Sequence, residues 1–429
     1  MPHTLNLKNF SFLIYGLGVS GKSTLSYLKK RKAKNLFIWD DDKYTRKRFK
    51  IKNKRLKNEF KNAHYIVLSP GVNIKNAKFS NELKKYRKKI ITDLDLLYLS
   101  NNKFKSIVIT GTNGKSTTSK IIAHLLKKNK FKVELGGNIG TPVLNLNTRQ
   151  DTFFIIEASS FQLSYSKFIH PNYALLLNIT NDHLDWHGSK QNYINSKFRI
   201  FNLQNKNDYA LINNNLAKIY KRKRYLGKRI NLKIKDYLKI KSKINNDYLN
   251  LKINDENMGF VLSISKILKI KQKLFIKSLK SFKGLPHRYE IFLKRKNVTF
   301  INDSKATTLE AAKFALNNSK NIYWIVGGLP KYRDKISLIR NKKDIMRCYI
   351  IGKNLNFFKK QFKNKIKFSI TRTLRGSILK IFKDIKSSKE KKVTILLSPG
   401  AASFDQFNNF ENRGNIFKKL CRFYAKKFI

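Results

Sequence analysis

Cysteines, histidines and acids are all scarce in this chain of 429 residues, which has two Cys, seven His and 26 Asp and Glu together. Cys348 and Cys421 are isolated, which excludes a zinc ribbon or a disulfide framework and predicts free thiols in a reducing cytoplasm. No apolar run reaches the ~18 residues of a membrane-spanning helix, so we expect no membrane insertion. Because acids are rare, a carboxylate that ends an apolar strand is unusually informative.

Basic residues are abundant: 92 Lys and Arg give a formal net charge of +66. Such an excess can indicate binding to nucleic acid, because cationic groups release counterions from phosphate. Here the lysines accompany Asn and Ile in nearly every polar stretch, as in residues 43–61, 228–243 and 380–392. This dispersal indicates compositional drift and predicts no specific nucleic-acid partner, while weak, salt-sensitive adhesion to RNA stays compatible with the charge.

Short apolar runs alternate with longer amphipathic stretches, and loops of Gly, Ser, Asn or Asp separate them. This order predicts an α/β protein with doubly wound parallel sheets, whose ligands bind beyond the carboxyl ends of the strands. We expect three domains, residues 1–93, 94–284 and 285–429, with residues 222–250 as peripheral strands and loops of the second. The predicted strands are residues 12–15, 36–39, 65–68, 106–110, 153–156, 173–177, 298–301, 322–326, 348–351 and 393–397.

Two glycine-rich loops follow predicted strands and open predicted helices, the context in which backbone N–H groups receive phosphate. Residues 16–23 (GLGVSGKS) match the common phosphate-loop pattern literally, whereas residues 111–117 (GTNGKST) are two residues shorter. The shorter loop has the better acidic partner, because Glu157 ends a strand and can hold Mg²⁺ beside the Ser116 hydroxyl. The first loop, with Asp40 after the next strand, is more typical of a nucleotide-sugar or dinucleotide site, or of a tight turn with an incidental Lys22.

Other polar groups fall at further strand ends. Residues 178–187 (NITNDHLDWH) crowd two His and two Asp into one loop, which favours a functional role for His183. Residues 303–307 (DSKAT), Gly327-Gly328 and residues 398–403 (SPGAAS) follow three more strands. We therefore expect acids, lysines and small residues from different domains to face a common cleft.

Five ordered motifs resemble the Mur ligase family. They are residues 111–117, 157–163 (EASSFQL), 284–290 (GLPHRYE), 302–307 (NDSKAT) and 397–414 (LSPGAASFDQFNNFENRG). The last four are most similar to the members that add D-glutamate, and the spacing fits from about residue 10 to the C-terminus. The resemblance implies a Rossmann-like N-terminal domain for a UDP-sugar, a central P-loop ATPase-type domain, and a Rossmann-like C-terminal domain that binds the amino acid and closes over the site.

The resemblance also implies an activity in peptidoglycan precursor synthesis. ATP would phosphorylate the carboxylate of UDP-N-acetylmuramoyl-L-alanine, and the amine of D-glutamate would attack the acyl phosphate. Orientation and electrostatic stabilisation should dominate such a reaction. The expected protein is a cytoplasmic monomer that acts in cell-wall biogenesis and hence in cell shape and division.

Site residues carried over from the family fall into four groups, some of which share residues. Lys115, His183 and Lys197 would be catalytic, and Lys197 would be carbamylated, which turns a cation into a carboxylate-like metal bridge. Two Mg²⁺ ions would be held by Ser116, Glu157, His183 and Lys197. ATP would be bound by Gly111, Thr112, Asn113, Gly114, Lys115, Ser116, Thr117, Asn254, Asn257, Arg288 and Asp303. The substrate contacts would be Ser20, Asp40, Gly71, Asn138, Ser159, Gln162, Lys305, Thr307, Lys331, Ser403 and Phe410.

Three features depart from the family pattern. Lys22 makes the first loop similar to a phosphate loop, Pro330 lies inside the acceptor loop beside Lys331, and residues 182–188 resemble the loop of a relative that adds a diamino acid. The D-N-P-R signature of that relative is absent, so D-glutamate is the expected acceptor. The alternatives are another Mur ligase with a different acceptor, a folate polyglutamate ligase, and a non-catalytic protein that binds RNA or nucleotide.

Overall fold

The computed structural model describes residues 4–51, 56–101, 104–147, 150–180, 182–330, 342–387 and 392–429. These residues form three sheets with helices packed around them, and each strand predicted from the sequence is present. The expected α/β class with mainly parallel sheets is therefore confirmed. The chain divides into two compact units, Met1–Lys283 and Gly284–Ile429, of which the first holds two of the sheets. The finer three-domain boundaries remain a prediction.

The first sheet has four parallel strands in the order β2-β1-β3-β4. Every residue of the central strand β1 is buried, as expected for an apolar strand covered on both faces. Its strands are β1 (Ser11–Tyr15), β2 (Asn35–Trp39), β3 (Tyr65–Leu68) and β4 (Ile90–Ile91), and its helices are α1 (Val19–Lys30), α2 (Lys43–Arg48), α3 (Leu56–Asn62), α4 (Ser80–Lys85) and α5 (Asp93–Ser100).

The second sheet has six parallel strands in the order β10-β9-β8-β5-β7-β6. They are β5 (Lys105–Thr110), β6 (Lys132–Gly137), β7 (Thr152–Glu157), β8 (Tyr173–Leu176), β9 (Tyr209–Ile212) and β10 (Lys228–Asn231). The helices are α6 (Lys115–Lys128), α7 (Ser160–Tyr165), α8 (Leu184–His187), α9 (Lys190–Phe198), α10 (Ala217–Arg222), α11 (Ile234–Leu238), α12 (Lys241–Ile244), α13 (Asp255–Ile267) and α14 (Gln272–Lys280). Since β5 lies between β7 and β8, the loops after these three strands meet at one edge of the sheet.

The first two sheets share one hydrophobic core. Leu25 and Leu28 of α1, Leu97 of α5, and Val143 and Leu144 after β6 belong to a single buried cluster that continues into the second sheet. This shared packing fixes the carboxyl ends of the two sheets relative to each other.

The third sheet lies in the second unit and has the order β11-β12-β16-β13-β14-β15. Its edge strand β11 pairs antiparallel with β12, and the other pairs are parallel. Its strands are β11 (Glu290–Arg295), β12 (Val298–Asn302), β13 (Ile322–Gly327), β14 (Ile345–Ile351), β15 (Phe368–Arg372) and β16 (Val393–Leu397), and its helices are α15 (Leu309–Asn317), α16 (Leu355–Phe362), α17 (Leu374–Lys386) and α18 (Phe410–Phe428).

One secondary-structure expectation was only partly right. Residues 222–250 were expected to be strands and loops, but they hold two short helices, α11 and α12, beside the edge strand β10. Tyr237 of α11 and Ile244 of α12 are fully buried, so the apolar residues of this lysine-rich stretch follow helical packing that its composition obscured. None of the described helices is long and apolar enough to cross a membrane.

Candidate active site at the carboxyl ends of the first two sheets

The shorter glycine-rich loop joins β5 to α6. Gly114 has φ +83°, and a Cβ there would lie 2.2 Å from Oδ1 of Asn257, so only glycine fits this turn. Asn178, which follows β8, accepts hydrogen bonds from the backbone N–H groups of Thr112 (3.0 Å, to its carbonyl) and Asn113 (2.9 Å, to Oδ1). The loop is therefore held from both sides, with Ser116 in the first turn of α6.

Two lysines converge on this loop. Nζ of Lys115 donates to the carbonyl of Gly111 at 2.9 Å, and Nζ of Lys197 donates to the same oxygen at 2.8 Å. Lys197 is 1% exposed. Burial, and then the charge of Lys115, hold the pKa of Lys197 well below its ordinary value. A buried lysine in this state favours the neutral amine, the form that reacts with CO₂ to give a carbamate.

Glu157 ends β7 beside the loop and is 2% exposed. Its Oε1 accepts a hydrogen bond from Nδ2 of Asn138 at 2.8 Å, whereas its buried Oε2 has no hydrogen-bond partner. A buried carboxylate oxygen without a partner is costly unless a cation or donor satisfies it. Glu157 thus fits a cation at this position, and its charge also acts on Lys197.

Among the described residues, no group of three or more His, Cys, Asp and Glu gathers as a complete metal site. A Mg²⁺ site needs only one or two carboxylates, because phosphates and water complete the shell. The buried, unpartnered Oε2 of Glu157 fits such an ion, and Ser116 stays a predicted ligand.

His183 has a left-handed backbone (φ +51°) and directly precedes α8. Its ring packs 4.7 Å from that of Phe161 on α7, and its Nε2 lies 3.3 Å from Asp182. The neighbouring His187 is buried and its Nε2 lies 3.0 Å from Oγ of Ser160, while burial lowers its pKa to about 4. The structure thus places the His183 ring against Phe161 of α7, and His187 acts as a packed, neutral ring.

Residues 16–23, which match the common phosphate-loop pattern literally, are stabilised by different contacts from those of residues 111–117. Gly16 has φ +94°, and the loop is fixed by Asp40, whose Oδ2 accepts from the N–H of Leu17 at 2.6 Å and whose Oδ1 accepts from Asp42 at 2.8 Å. Lys22 is exposed, its Nζ lies 5.9 Å from the ring centroid of Phe49, and it is not among the described residues that line the neighbouring cleft. Asp40 therefore shapes this turn through hydrogen bonds to the backbone.

A cleft of about 490 Å³ lies beside this first loop, between the first two sheets. Five predicted substrate contacts from the regions of the first two sheets line it together: Ser20, Asp40, Gly71, Asn138 and Gln162. A sixth, Ser159, lies directly behind, since its Oγ donates to Oε1 of Gln162 at 3.1 Å. None of the described residues that line the cleft is Lys or Arg.

Of the two asparagines outside the loop that were predicted to bind ATP, Asn257 lies against the loop. Oδ1 of Asn257 accepts from Oγ1 of Thr118 at 3.3 Å beside Gly114. Asn254 is buried, and its amide donates to the carbonyl of Tyr248 at 2.6 Å, which stabilises the turn before α13. Asn178 was missed by the sequence reasoning, although its place directly after β8 is the same strand-end signal that singled out Glu157.

In the second unit, Asp303 follows β12 and is buried. Oδ2 accepts from Oγ of Ser398 at 2.7 Å, and Oδ1 accepts from the N–H of Tyr289 at 3.0 Å. Burial raises the pKa of Asp303 to about 7, partly offset by these bonds and by the Arg288 charge. Nε of Arg288 is buried without a hydrogen-bond partner, as expected for a guanidinium group that binds an anionic ligand.

The described residues predicted to bind the amino acid follow β12 and β16 of the third sheet or begin α18. Nζ of Lys305 is 4.8 Å from the ring centroid of Phe410, the first residue of α18. Ser403 is 2% exposed in the loop after β16, and Thr307 precedes α15. Lys331 lies outside the described residues.

Arg413 holds this edge together and was not singled out from the sequence. It is 1% exposed; its Nη2 donates to the carbonyls of Ser304 (2.8 Å) and Ala401 (3.0 Å), and its Nε donates to Oγ of Ser304 (3.0 Å). The available signal was helical phase, because Arg413, Phe417, Cys421 and Tyr424 share the buried face of α18.

Comparison with known proteins agrees with this geometry. The family model described as "Mur ligase middle domain" matches residues 109–278. This stretch carries the shorter glycine-rich loop, Glu157 and Lys197. The chain is 33% identical to the UDP-N-acetylmuramoylalanine--D-glutamate ligase of Rickettsia felis, covering 96% of this chain and 97% of that protein. It is 34% identical to the enzyme of the same name from Wolbachia sp. subsp. Brugia malayi, covering 98% and 97%.

A solved structure shares the fold. The MurF ligase of Thermotoga maritima in complex with ADP aligns with a TM-score of 0.52 and 17% identity, covering 98% of this chain and 96% of that one. The chain is 33% and 34% identical to these two named ligases over nearly its whole length, and it carries the shorter glycine-rich loop and the buried Lys197. We conclude that this chain belongs to the Mur ligase family.

Proposed function

We propose that this chain is an ATP-dependent ligase that joins D-glutamate to UDP-N-acetylmuramoyl-L-alanine, with release of ADP and phosphate, in peptidoglycan precursor synthesis. The observation that carries the proposal is the position of Asn138. This residue lines the cleft and also donates to Glu157 at the phosphate loop, so a ligand in the cleft and a nucleotide on the loop would meet there. The D-glutamate ligases covering nearly the whole chain support the choice of acceptor.

In this reading the loop binds the phosphates of ATP. The backbone N–H groups before α6 and the helix N-terminus receive phosphate oxygens, and Lys115 leaves the Gly111 carbonyl to pair with the β- and γ-phosphates. Asn178 keeps the loop rigid, so little reorganisation accompanies binding.

Ser116 and Glu157 would hold one Mg²⁺ ion, and His183 with a carbamylated Lys197 would hold a second. When bound, Mg²⁺ neutralises the charge that develops on the transferred phosphoryl group. The role of Lys197 is supported by its burial beside Lys115, since both lower the pKa of its amine and leave it open to carbamylation. Transfer of the γ-phosphoryl group to the terminal carboxylate gives an acyl phosphate, and ADP leaves.

The acceptor completes the reaction. Its amine attacks the acyl carbon, the carbon–oxygen bond to phosphate breaks, and the amine loses a proton as the amide forms. Lys305, Thr307, Ser403, Phe410 and Lys331 would bind D-glutamate, with Arg413 holding two of the loops that carry them. Asp303 and Arg288 would bind nucleotide.

Phosphate release from ATP, measured with UDP-N-acetylmuramoyl-L-alanine and one amino acid at a time, tests the proposal. Turnover should require D-glutamate together with the nucleotide-sugar. Turnover with another amino acid would replace the acceptor, and no turnover with any acceptor would overturn the ligase assignment. The control is Lys115→Ala, which removes the loop cation and should be inactive in every mixture.

A further inference from the structure

The buried carboxyl of Asp93 lies behind the cleft. Asp93 is the first residue of α5 and is 4% exposed. Its Oδ1 accepts from the N–H of Leu94 at 3.0 Å and from Nε2 of Gln162 at 3.1 Å, and its Oδ2 lies 3.4 Å from the same Nε2. Gln162 lines the cleft. Asp93 thus joins α5 to α7 directly behind a side chain that faces the ligand.

The hydrogen bonds of Gln162 fix which side of its amide faces the ligand. Its Oε1 is occupied by the N–H of Ser159 at 3.2 Å and by Oγ of Ser159 at 3.1 Å, because Ser159 and Gln162 form the capping box of α7. Its Nε2 donates to the Asp93 carboxylate, at 3.1 Å from Oδ1 and 3.4 Å from Oδ2. One amide hydrogen shared between the two carboxylate oxygens accounts for both distances, and the second hydrogen of the amide can then be donated into the cleft.

A fixed N–H donor matters in this cleft because its described lining contains no Lys or Arg. An anionic or carbonyl-rich ligand must then be recognised by neutral donors and backbone N–H groups. Without an acceptor at position 93, Gln162 would lose the partner that holds its nitrogen on this side.

We propose that Asp93 is a positioning residue for the nucleotide-sugar: its carboxyl orients the Gln162 amide so that the cleft presents a donor to an oxygen of the ligand. The inference rests on the proposed function for the identity of that ligand. It assigns Asp93 no contact with the ligand and no part in the chemical steps.

Asp95 provides a matched control within the same helix. It is also fully buried, and it accepts from Thr92 and from the N–H groups of Lys167 (2.8 Å) and Phe168 (2.7 Å), none of which lines the cleft. Loss of this carboxyl should weaken the fold without changing recognition. The pair therefore separates a positioning role from a structural one.

The test measures steady-state kinetics of Asp93→Ala, Asp93→Asn and Asp95→Ala with wild type alongside. Asp93→Ala should raise the KM for UDP-N-acetylmuramoyl-L-alanine ~10-fold, the effect of about one lost hydrogen bond, with kcat and the KM for ATP within twofold. Asp93→Asn keeps an acceptor oxygen and should restore KM to within about threefold of wild type. Asp95→Ala should lower the melting temperature and leave all three constants within twofold.

Three outcomes would overturn the inference: an unchanged KM in Asp93→Ala, a parallel change in every constant, or a failure of Asp93→Asn to rescue. If Asp93→Ala does not fold, Gln162→Met tests the same donor from the other side, and an unchanged KM there also refutes it. Inactivity of the wild-type chain would instead refute the proposed function, so the two failures are distinguishable.

Discussion

The two glycine-rich loops of the first unit show why a sequence pattern needs its surroundings. Residues 16–23 satisfy the common phosphate-loop pattern, yet Lys22 is exposed and Asp40 pins the turn through the backbone. Residues 111–117 miss the pattern by two positions, yet Lys115 folds onto the loop and Lys197 and Glu157 lie beside it. A phosphate loop is defined by convergent cations and a strand-end carboxylate more than by the spacing of its glycines.

Among the substitutions that test this comparison of the two loops, Lys115→Ala should reduce activity most. Removal of the cation that is to pair with the transferred phosphoryl group should lower kcat/KM by roughly 100-fold or more. Phosphate release measures the loss, and circular dichroism checks that the fold is kept. Turnover near that of wild type would show that the shorter loop is not the ATP site.

Lys197→Ala should also lower activity by roughly 100-fold, since it removes the predicted metal-bridging carbamate. Added formate or acetate should restore part of the activity, because a small carboxylate can occupy the space that the side chain leaves. Lys190→Ala, on the first turn of the same helix and exposed, serves as the control with unchanged activity. An alanine variant at 197 that works without formate would remove the carbamate proposal.

Gly114→Ala should have an intermediate effect on the KM for ATP, and its comparison with Gly16→Ala tests which loop binds ATP. The new methyl group meets Asn257 at a positive φ, which should cost about 1–3 kcal/mol of unfolding free energy and raise the KM for ATP several-fold. Gly16→Ala, also at positive φ and with a Cβ 2.8 Å from Cβ of Ser69, should cost similar stability but leave the KM for ATP unchanged. Equal changes in the KM for ATP in both variants would show that the two loops do not differ in their effect on ATP binding.

Lys22→Ala should have the smallest effect. Its exposed side chain makes one long contact with the Phe49 ring, so unfolding free energy should change by less than about 0.5 kcal/mol. Turnover and all KM values should stay within twofold of wild type. A ten-fold loss of activity would mean that Lys22 reaches the substrate and that the literal pattern was informative after all.

Much of the fold followed from local patterns. Buried parallel strands are continuous apolar runs, so the strands from residue 12 to residue 397 could be located without knowledge of their neighbours. The helices within residues 222–250 were not predicted, because the lysine-rich composition obscured the spacing of buried apolar residues such as Tyr237. The strand-end rule also pointed to Glu157 and to the loop that carries His183.

Other features depended on contacts that no local pattern contains. Lys197 is one of 92 basic residues, and only family resemblance singled it out before its burial was seen. Asp93 and Asp95 stand two positions apart at the start of one helix. Only the tertiary structure gives the two carboxyls different partners, Gln162 for the first and the N–H groups of Lys167 and Phe168 for the second.

The sequence by itself determined the α/β alternation, the glycine turns and the polar groups at strand ends, because these depend on backbone geometry and on side-chain periodicity within a few residues. Only the tertiary structure decided which of those groups meet. The order β8-β5-β7-β6 brings Asn178, Lys115, Glu157 and Asn138 to one edge, and burial there removes the water that would otherwise screen their charges. Proximity and desolvation are properties of the packed chain, and they turn scattered residues into a site.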